Sequence, residues 1–105
     1  MLRTLRNVIS KVEPINLAFR GAGVALAATG IAHFVAPKPF VALSKPVFRD
    51  DTEKWVRVNG ATETAIGLAF LNPQTRAYGL IGMLAYGAFL SDRAVAVLMA
   101  PPDER

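Results

Sequence analysis

The sequence contains no cysteine and only one histidine among its 105 residues. Disulfide bonds and thiolate metal sites are therefore excluded, as is an ordinary metal site built from several histidines of one chain. Charged residues make up 19% of the chain, and the Lys and Arg residues are scattered rather than clustered. Since no basic run interleaved with aromatic residues is present, nucleic acid is not an expected partner. No nucleotide-binding loop and no nucleophile with its base is visible, so we predict neither an enzymatic activity nor a cofactor.

Apolar residues are abundant instead, at 52% of the chain, and they gather in long segments. A membrane-spanning helix needs about 20 residues to cross a hydrocarbon core of about 30 Å. The net charge of +4 suits a membrane protein, because anionic lipids attract the bases that flank apolar spans. Ala is the commonest residue and Arg is more frequent than Lys, which favours a GC-rich bacterial genome. We therefore predict a multi-pass protein of a bacterial inner membrane.

The first fourteen residues have the pattern of a short amphipathic helix that lies in the membrane interface. Apolar side chains recur at helical spacing, at Leu2, Leu5, Val8, Ile9 and Val12. Three bases, Arg3, Arg6 and Lys11, fall largely elsewhere on the helix. Pro14 is expected to end this helix or turn the chain, because proline lacks an N–H and its ring clashes with the preceding turn. A helix packed on a soluble core is the alternative for the same pattern.

Three longer apolar segments follow, and we predict an all-α membrane protein in which each of them is a transmembrane helix. The predicted transmembrane domain covers residues 15–100, with spans at about 15–36, 55–71 and 77–100 and a polar tail at 101–105. Prolines and mixed charges exclude a span at 37–55, where we expect a short helix or loop on the membrane surface. A secretory signal peptide is an alternative for the first segment, because a basic start precedes an apolar stretch with a cleavage-like Ala-Leu-Ala.

Glu63 lies inside the second apolar segment, although a charge at the centre of a membrane helix costs roughly 2.5–3.5 kcal/mol. Asn59 is one turn before it and Gly67 one turn after, so a stripe of small and polar residues is predicted to face another helix rather than lipid. Three bases could pair with the carboxylate: His33, Arg57 and Arg20. The predicted polar contacts within the membrane, inside the chain or to a partner subunit, are Asn59, Glu63, His33 and Arg20. A relay of protons or substrate is the other alternative for Glu63.

A second group of charges is expected at the headgroup level. Arg57, Asp92 and Arg93 would lie there together, as interfacial salt bridges or as a site for a lipid headgroup. If Asp92 and Arg93 mark the membrane surface, the seven apolar residues 94–100 extend beyond it and need cover. A partner protein is the natural cover.

Two segments resemble a known family. The stretch GIAHFVAPKPF, which contains His33, resembles the end of the first span in DoxX-like small membrane proteins, and NGATETAIGLAFLNPQTR, which contains Glu63, resembles their second span and the turn after it. The resemblance covers residues 21–90 and implies a compact α-helical bundle in a bacterial inner membrane, with His33 and Glu63 at the polar positions of the family. Some relatives are linked to quinone-dependent or thiol redox systems. The chain departs from the pattern because it lacks the usual fourth span and any cysteine.

These observations lead to a prediction of function. Three short helices rich in Gly and Ala bury little area by themselves, so we predict a non-catalytic accessory or stabilising subunit of a larger integral membrane complex. The expected host is a lipid or small-molecule transporter, and membrane lipids are further expected partners. The alternative is a membrane subunit of a quinone-linked redox complex, in which His33 or Glu63 handles protons. A channel or carrier formed by several copies, with Glu63 lining it, is a third hypothesis.

Overall fold

The protein is a row of helices. A computed structural model describes residues 1–104, and of Ile9 and Ser10 it describes the backbone alone. The helices are α1 (Leu2–Val35), α2 (Pro37–Ser44), α3 (Thr52–Leu71) and α4 (Arg76–Met99), followed by a single 3₁₀ turn (Pro102–Glu104). No strand occurs among these described residues, so the prediction of an all-α fold is confirmed for them.

The predicted helix end at Pro14 is wrong. α1 is one helix of 34 residues with Pro14 inside it, so residues 1–14 are not a separate element. Proline removes one backbone hydrogen bond and bends a helix, but it need not end a helix that continues with helix-forming residues on both sides. The apolar side chains predicted on one side of this segment are all exposed where they are described, at Leu2, Leu5, Val8 and Val12. The side chain of Ile9, and Arg105 in the predicted polar tail, lie outside the described part of the chain.

The other predicted spans correspond to helices of the structure. α3 ends at Leu71 as predicted and begins at Thr52 rather than at 55, and α4 covers Arg76–Met99 against a predicted 77–100. By length and composition, two helices of the described chain could cross a membrane, and these are α1 and α4. α3 is not one of them, because its charged residues lower its hydropathy. The presence of three spans therefore stays a prediction.

α3 is the central helix of the row. It packs most extensively on α1, less on α4 and also on α2, whereas α1 and α4 do not pack on each other to a comparable extent. The chain is consequently elongated, with a radius of gyration of 17.9 Å against about 13 Å for a compact domain of this length. Most buried side chains of the described helices belong to α3, since it alone has a neighbour on either side.

The contact between α1 and α3 is made by glycines at matching positions. A Cβ atom on Gly23 would lie 2.7 Å from the carbonyl oxygen of Gly67, and one on Gly30 would lie 2.6 Å from the carbonyl oxygen of Gly60. Residue numbers rise along α1 as they fall along α3, so the two helices are antiparallel. Backbones that approach this closely gain dispersion contacts and Cα–H···O contacts. Such contacts can hold helices together without a contribution from the hydrophobic effect.

α4 returns along the other side of α3 after a turn of four residues. The Asn72 side-chain oxygen accepts the Gln74 N–H at 3.0 Å, and the Thr75 hydroxyl donates to the Ala69 carbonyl at 2.7 Å. These bonds close the hairpin, because Asn and Thr side chains can replace the backbone partners that a helix end leaves free. A Cβ atom on Gly79 would lie 2.6 Å from the Phe70 ring, so here too a glycine sets the distance between helices.

Candidate functional site

Three helices bring His33, Glu63 and Tyr86 together, and we call these three residues the polar centre. The Tyr86 hydroxyl on α4 donates to the Glu63 Oε2 atom on α3 at 2.6 Å. The Nε2 atom of His33 on α1 lies 3.6 Å from the same oxygen. The side chains of His33 and Glu63 are 7% and 13% exposed. Little water therefore screens these contacts, which makes each of them stronger than it would be at a surface.

The backbone of α1 fixes one proton of the imidazole. The Nδ1 atom of His33 lies 2.7 Å from the carbonyl oxygen of Thr29, one turn earlier. A carbonyl oxygen only accepts, so Nδ1 carries a proton and donates it. In a neutral ring, Nε2 then presents a lone pair towards the Glu63 oxygen. The two atoms attract one another only when a further proton lies on the ring or on the carboxyl group.

The register of the α3–α4 hairpin explains why Tyr86 meets Glu63. Gly79 faces Phe70 and Gly82 faces Ile66, about one turn further along each helix, and Tyr86 faces Glu63 after the next turn. The α3 residues of this series are three or four apart and share one side of the helix. The glycines of α4 allow the close approach that lets a tyrosine reach across to the carboxyl group.

The structure separates the four predicted polar contacts into two groups. His33 and Glu63 meet, and Asn59 is buried on α3 one turn before Glu63. Within the described part of the chain, its side-chain oxygen has no hydrogen bond partner. Arg20 is exposed on α1 and takes no part in the polar centre. By the antiparallel register it lies near the level of Phe70, about two turns from Glu63, which is too far for pairing.

The three charged residues predicted as one interfacial cluster have separate surroundings. The Arg93 guanidinium lies over three aromatic rings, at 4.8 Å from the centroid of Trp55, 5.1 Å from that of Phe48 and 5.5 Å from that of Phe89. Asp92 and Arg57 are exposed. Among the residues that the structure describes, no ion pair joins Asp92 to Arg93 or to Arg57. The sequence did not indicate the aromatic group, because Phe48 comes from the connection between α2 and α3.

A cleft of about 740 Å³ opens beside the polar centre, where α1 ends, α2 crosses and α3 begins. His33 contributes to its lining and stacks on Phe40 of α2, with the ring centroids 3.8 Å apart and the planes at 21°. The His33 ring therefore contacts α2 on one side and approaches Glu63 on the other. A change in the orientation of the ring would therefore alter both its stacking on Phe40 and its distance to Glu63.

The polar centre holds three helices together. Each of its three side chains comes from a different helix, so their contacts fix the rotation of α1, α3 and α4 about their axes. Within the described residues, no three His, Asp or Glu side chains are grouped so that they could hold a metal ion.

Tyr86 is the residue of the polar centre that sequence reasoning did not select. The signal was available, because a four-residue turn at 72–75 places residues about equally distant from it opposite one another in an antiparallel hairpin. Counting outward from the turn pairs Glu63 with position 84. Tyr86 is the hydroxyl-bearing residue closest to that position.

Comparison with known proteins places the polar centre, the cleft and the aromatic group within one family region. Residues 22–104 match a family model described as a domain of unknown function (DUF8561). No curated protein and no solved structure matches the chain.

Proposed function

The chain belongs to the DUF8561 family, and we propose that it is a non-catalytic accessory subunit of a larger complex in a bacterial inner membrane. It would enter that membrane through α1, α3 and α4. The class of host that we propose is a lipid or small-molecule transporter. The observation that carries the proposal is the distribution of apolar surface, which lies outside the row of helices while small and polar residues lie inside it.

The membrane placement is supported by how little of the apolar helices is buried. The most apolar stretch of α4 has 0% of its residues buried, and that of α1 has 17%. The core helix of a water-soluble protein would be mostly buried instead. Large apolar side chains along α4, such as Leu80, Ile81 and Leu84, are 46%, 64% and 75% exposed. Such a surface is expected to face lipid or a partner protein.

α3 can join the other two helices in the membrane because the hydroxyl and carboxyl groups in its middle are paired. Its 20 residues would extend about 30 Å, the thickness of a hydrocarbon core. The Thr62 and Thr64 hydroxyls donate to carbonyl oxygens one turn earlier in the same helix. Glu63 accepts the bond from Tyr86. Polar side chains that are paired in this way cost much less in lipid than unpaired ones.

The partner surface that we propose is the far end of α4. After Arg93, one side of the helix is partly covered by the connection between α2 and α3, and the Arg49 guanidinium donates to the carbonyl oxygen of Glu104. Val95 and Met99, which are four residues apart and share a side, remain 56% and 80% exposed. If Arg93 lies at the headgroup level, these side chains lie beyond the hydrocarbon and a protein is needed to cover them.

The test is a mild-detergent purification of the tagged full chain at native expression, with quantitative mass spectrometry. We expect an integral membrane transporter at a constant ratio to the chain. It should be lost from the double variant V95N/M99N and retained in L43N, which places the same substitution on an exposed residue of α2.

A stable, monodisperse monomer without a co-purifying protein would overturn the proposal. Recovery of the chain alone with a bound quinone would favour the redox alternative. Equal loss of the transporter from both variants would show that the end of α4 is not the contact.

A further inference from the structure

The cleft between α1, α2 and α3 has an apolar wall. It is formed by one side of the end of α1, by α2 and by the first half of α3, through Phe34, Pro37, Val41, Ala42 and Val56. Its volume of about 740 Å³ lies in the range of small-molecule sites in proteins. An apolar wall of this kind suits a hydrocarbon chain better than a fully polar ligand.

The charges around the cleft are predominantly positive. Lys38, Lys45 and Arg57 belong to its lining, and Glu53 is the acidic residue among them. All three bases are exposed, and within the described chain none of them forms an ion pair. Three bases against one acid therefore leave an excess of two positive charges at the cleft. A ligand that complements this lining carries an anionic head and an apolar tail.

We propose that the cleft binds one anionic phospholipid of the bilayer, with its phosphate headgroup among Lys38, Lys45 and Arg57 and its upper acyl chain against the apolar wall. The inference rests on the membrane placement proposed above, since it takes the lipid from the surrounding leaflet. A base near an anionic membrane surface contributes about a fivefold gain in binding, which is about 1 kcal/mol at 1.4 kcal/mol per factor of ten.

The cleft is also connected to the polar centre. His33 lines the cleft, stacks on Phe40 of α2 and approaches Glu63. A lipid that presses on α2 therefore acts on the same imidazole that links α1 to α3. An accessory subunit could in this way respond to the composition of the leaflet around it.

The experiment uses the full chain in bilayer nanodiscs that contain equal amounts of phosphatidylglycerol and phosphatidylcholine. After release into a mild detergent, native mass spectrometry counts the lipids that stay bound. We expect one phosphatidylglycerol per chain, retained at least tenfold over phosphatidylcholine. The triple variant K38Q/K45Q/R57Q should lose this preference, and each single variant should reduce it about fivefold.

The matched control is R3Q/R6Q/K11Q, which removes the same number of positive charges from exposed positions of α1 away from the cleft. It should keep the preference. A second cleft variant, A42F, fills the apolar wall without changing any charge and should also reduce retention of the lipid. Circular dichroism of each variant confirms that the helices are retained.

Four results would overturn the inference. Retention of the preference in K38Q/K45Q/R57Q would exclude these bases as the headgroup site. Equal loss in the cleft variant and in its control would show a general attraction of basic protein to anionic lipid. Failure of the wild-type chain to enter nanodiscs would overturn the membrane placement as well, whereas entry without lipid preference would leave that placement intact.

Discussion

Tyr86 and Glu63 face each other across the α3–α4 hairpin, 23 residues apart in sequence, and are joined by a hydrogen bond of 2.6 Å. The bond is short because the carboxyl group is a strong acceptor and little of it is exposed. It is the direct side-chain contact that ties α4 to the polar centre. Removing the single oxygen atom of the Tyr86 hydroxyl therefore tests this bond.

Replacing Tyr86 by phenylalanine removes the hydroxyl and keeps the ring. We expect the free energy of unfolding to fall by about 1 kcal/mol, because Glu63, whose side chain is only 13% exposed, loses a donor. The measurement is a titration with a denaturing detergent, followed by circular dichroism. Y78F is the matched control, because Tyr78 is on the same helix and 73% exposed, and it should leave the midpoint unchanged. Equal effects of the two variants would contradict a specific role for the bond.

Substitution of Glu63 distinguishes a packing role from a requirement for charge. Since the Nδ1–H of His33 is held by Thr29, the amide nitrogen of a glutamine at 63 can take the place of Oε2, donating one hydrogen to the Tyr86 hydroxyl oxygen and the other to the Nε2 atom of His33. We therefore expect E63Q to unfold within about 0.5 kcal/mol of the wild type, and E63A to lose about 2 kcal/mol because it leaves both neighbours unpaired. The same titration measures both variants. A loss in E63Q as large as that in E63A would mean that the carboxyl group must be ionised against an imidazolium.

The close approach of α1 and α3 predicts the effect of one added methyl group. A Cβ atom on Gly67 would lie 2.6 Å from the carbonyl oxygen of Gly23 and against the backbone of Ala27, so G67A must push the helices apart. We expect a loss of about 1–3 kcal/mol in the free energy of unfolding, as for other overpacked contacts. G21A is the control, because a Cβ atom at Gly21 meets nothing within 4 Å and alanine favours a helix. An unchanged midpoint for G67A would show that the helices are further apart than described.

The sequence predicted α3 and α4 well because their ends carry strong signals. Acidic residues stand before α3, as the positive end of a helix favours, and a turn of Asn, Pro, Gln and Thr separates α3 from α4. Pro14 gave an equally strong local signal and misled, since one proline breaks a single hydrogen bond and the residues around it still form a helix.

The members of the site could be predicted only in part. A lone histidine and a carboxyl group in apolar segments stand out in any sequence, so His33 and Glu63 were found from composition. Tyr86 depends on the hairpin register. The cleft depends on how α2 folds back on α1 and α3, which no periodicity in an eight-residue helix determines. Arg20 and Arg57 were plausible partners for Glu63 by charge, and distance along the helices excluded Arg20.

The aromatic group around Arg93 gives Trp55 partners within the protein. Phe48 is 3% exposed and stacks on Trp55 with the ring centroids 5.4 Å apart. Phe89 lies 5.5 Å from Trp55 on the opposite helix, and the Arg93 guanidinium covers the rings. These contacts tie the connection before α3 to α4.

Arg93→Gln should therefore change the surroundings of Trp55, which is the single tryptophan of the chain and gives an assignable fluorescence signal. Loss of the guanidinium removes a cation–π partner worth about 1 kcal/mol and uncovers the indole ring. We expect a red-shifted emission and stronger quenching by acrylamide. R93K should shift the emission less than R93Q does. It keeps the positive charge, but an ammonium group cannot lie flat over three rings as a guanidinium does.

D92N is the control, because it changes the neighbouring exposed charge and should leave the emission spectrum of Trp55 as it is. If R93Q and D92N gave the same spectrum as the wild type, Arg93 would not cover Trp55, and the link between α4 and the start of α3 would have to rest on Phe48 and Phe89 alone.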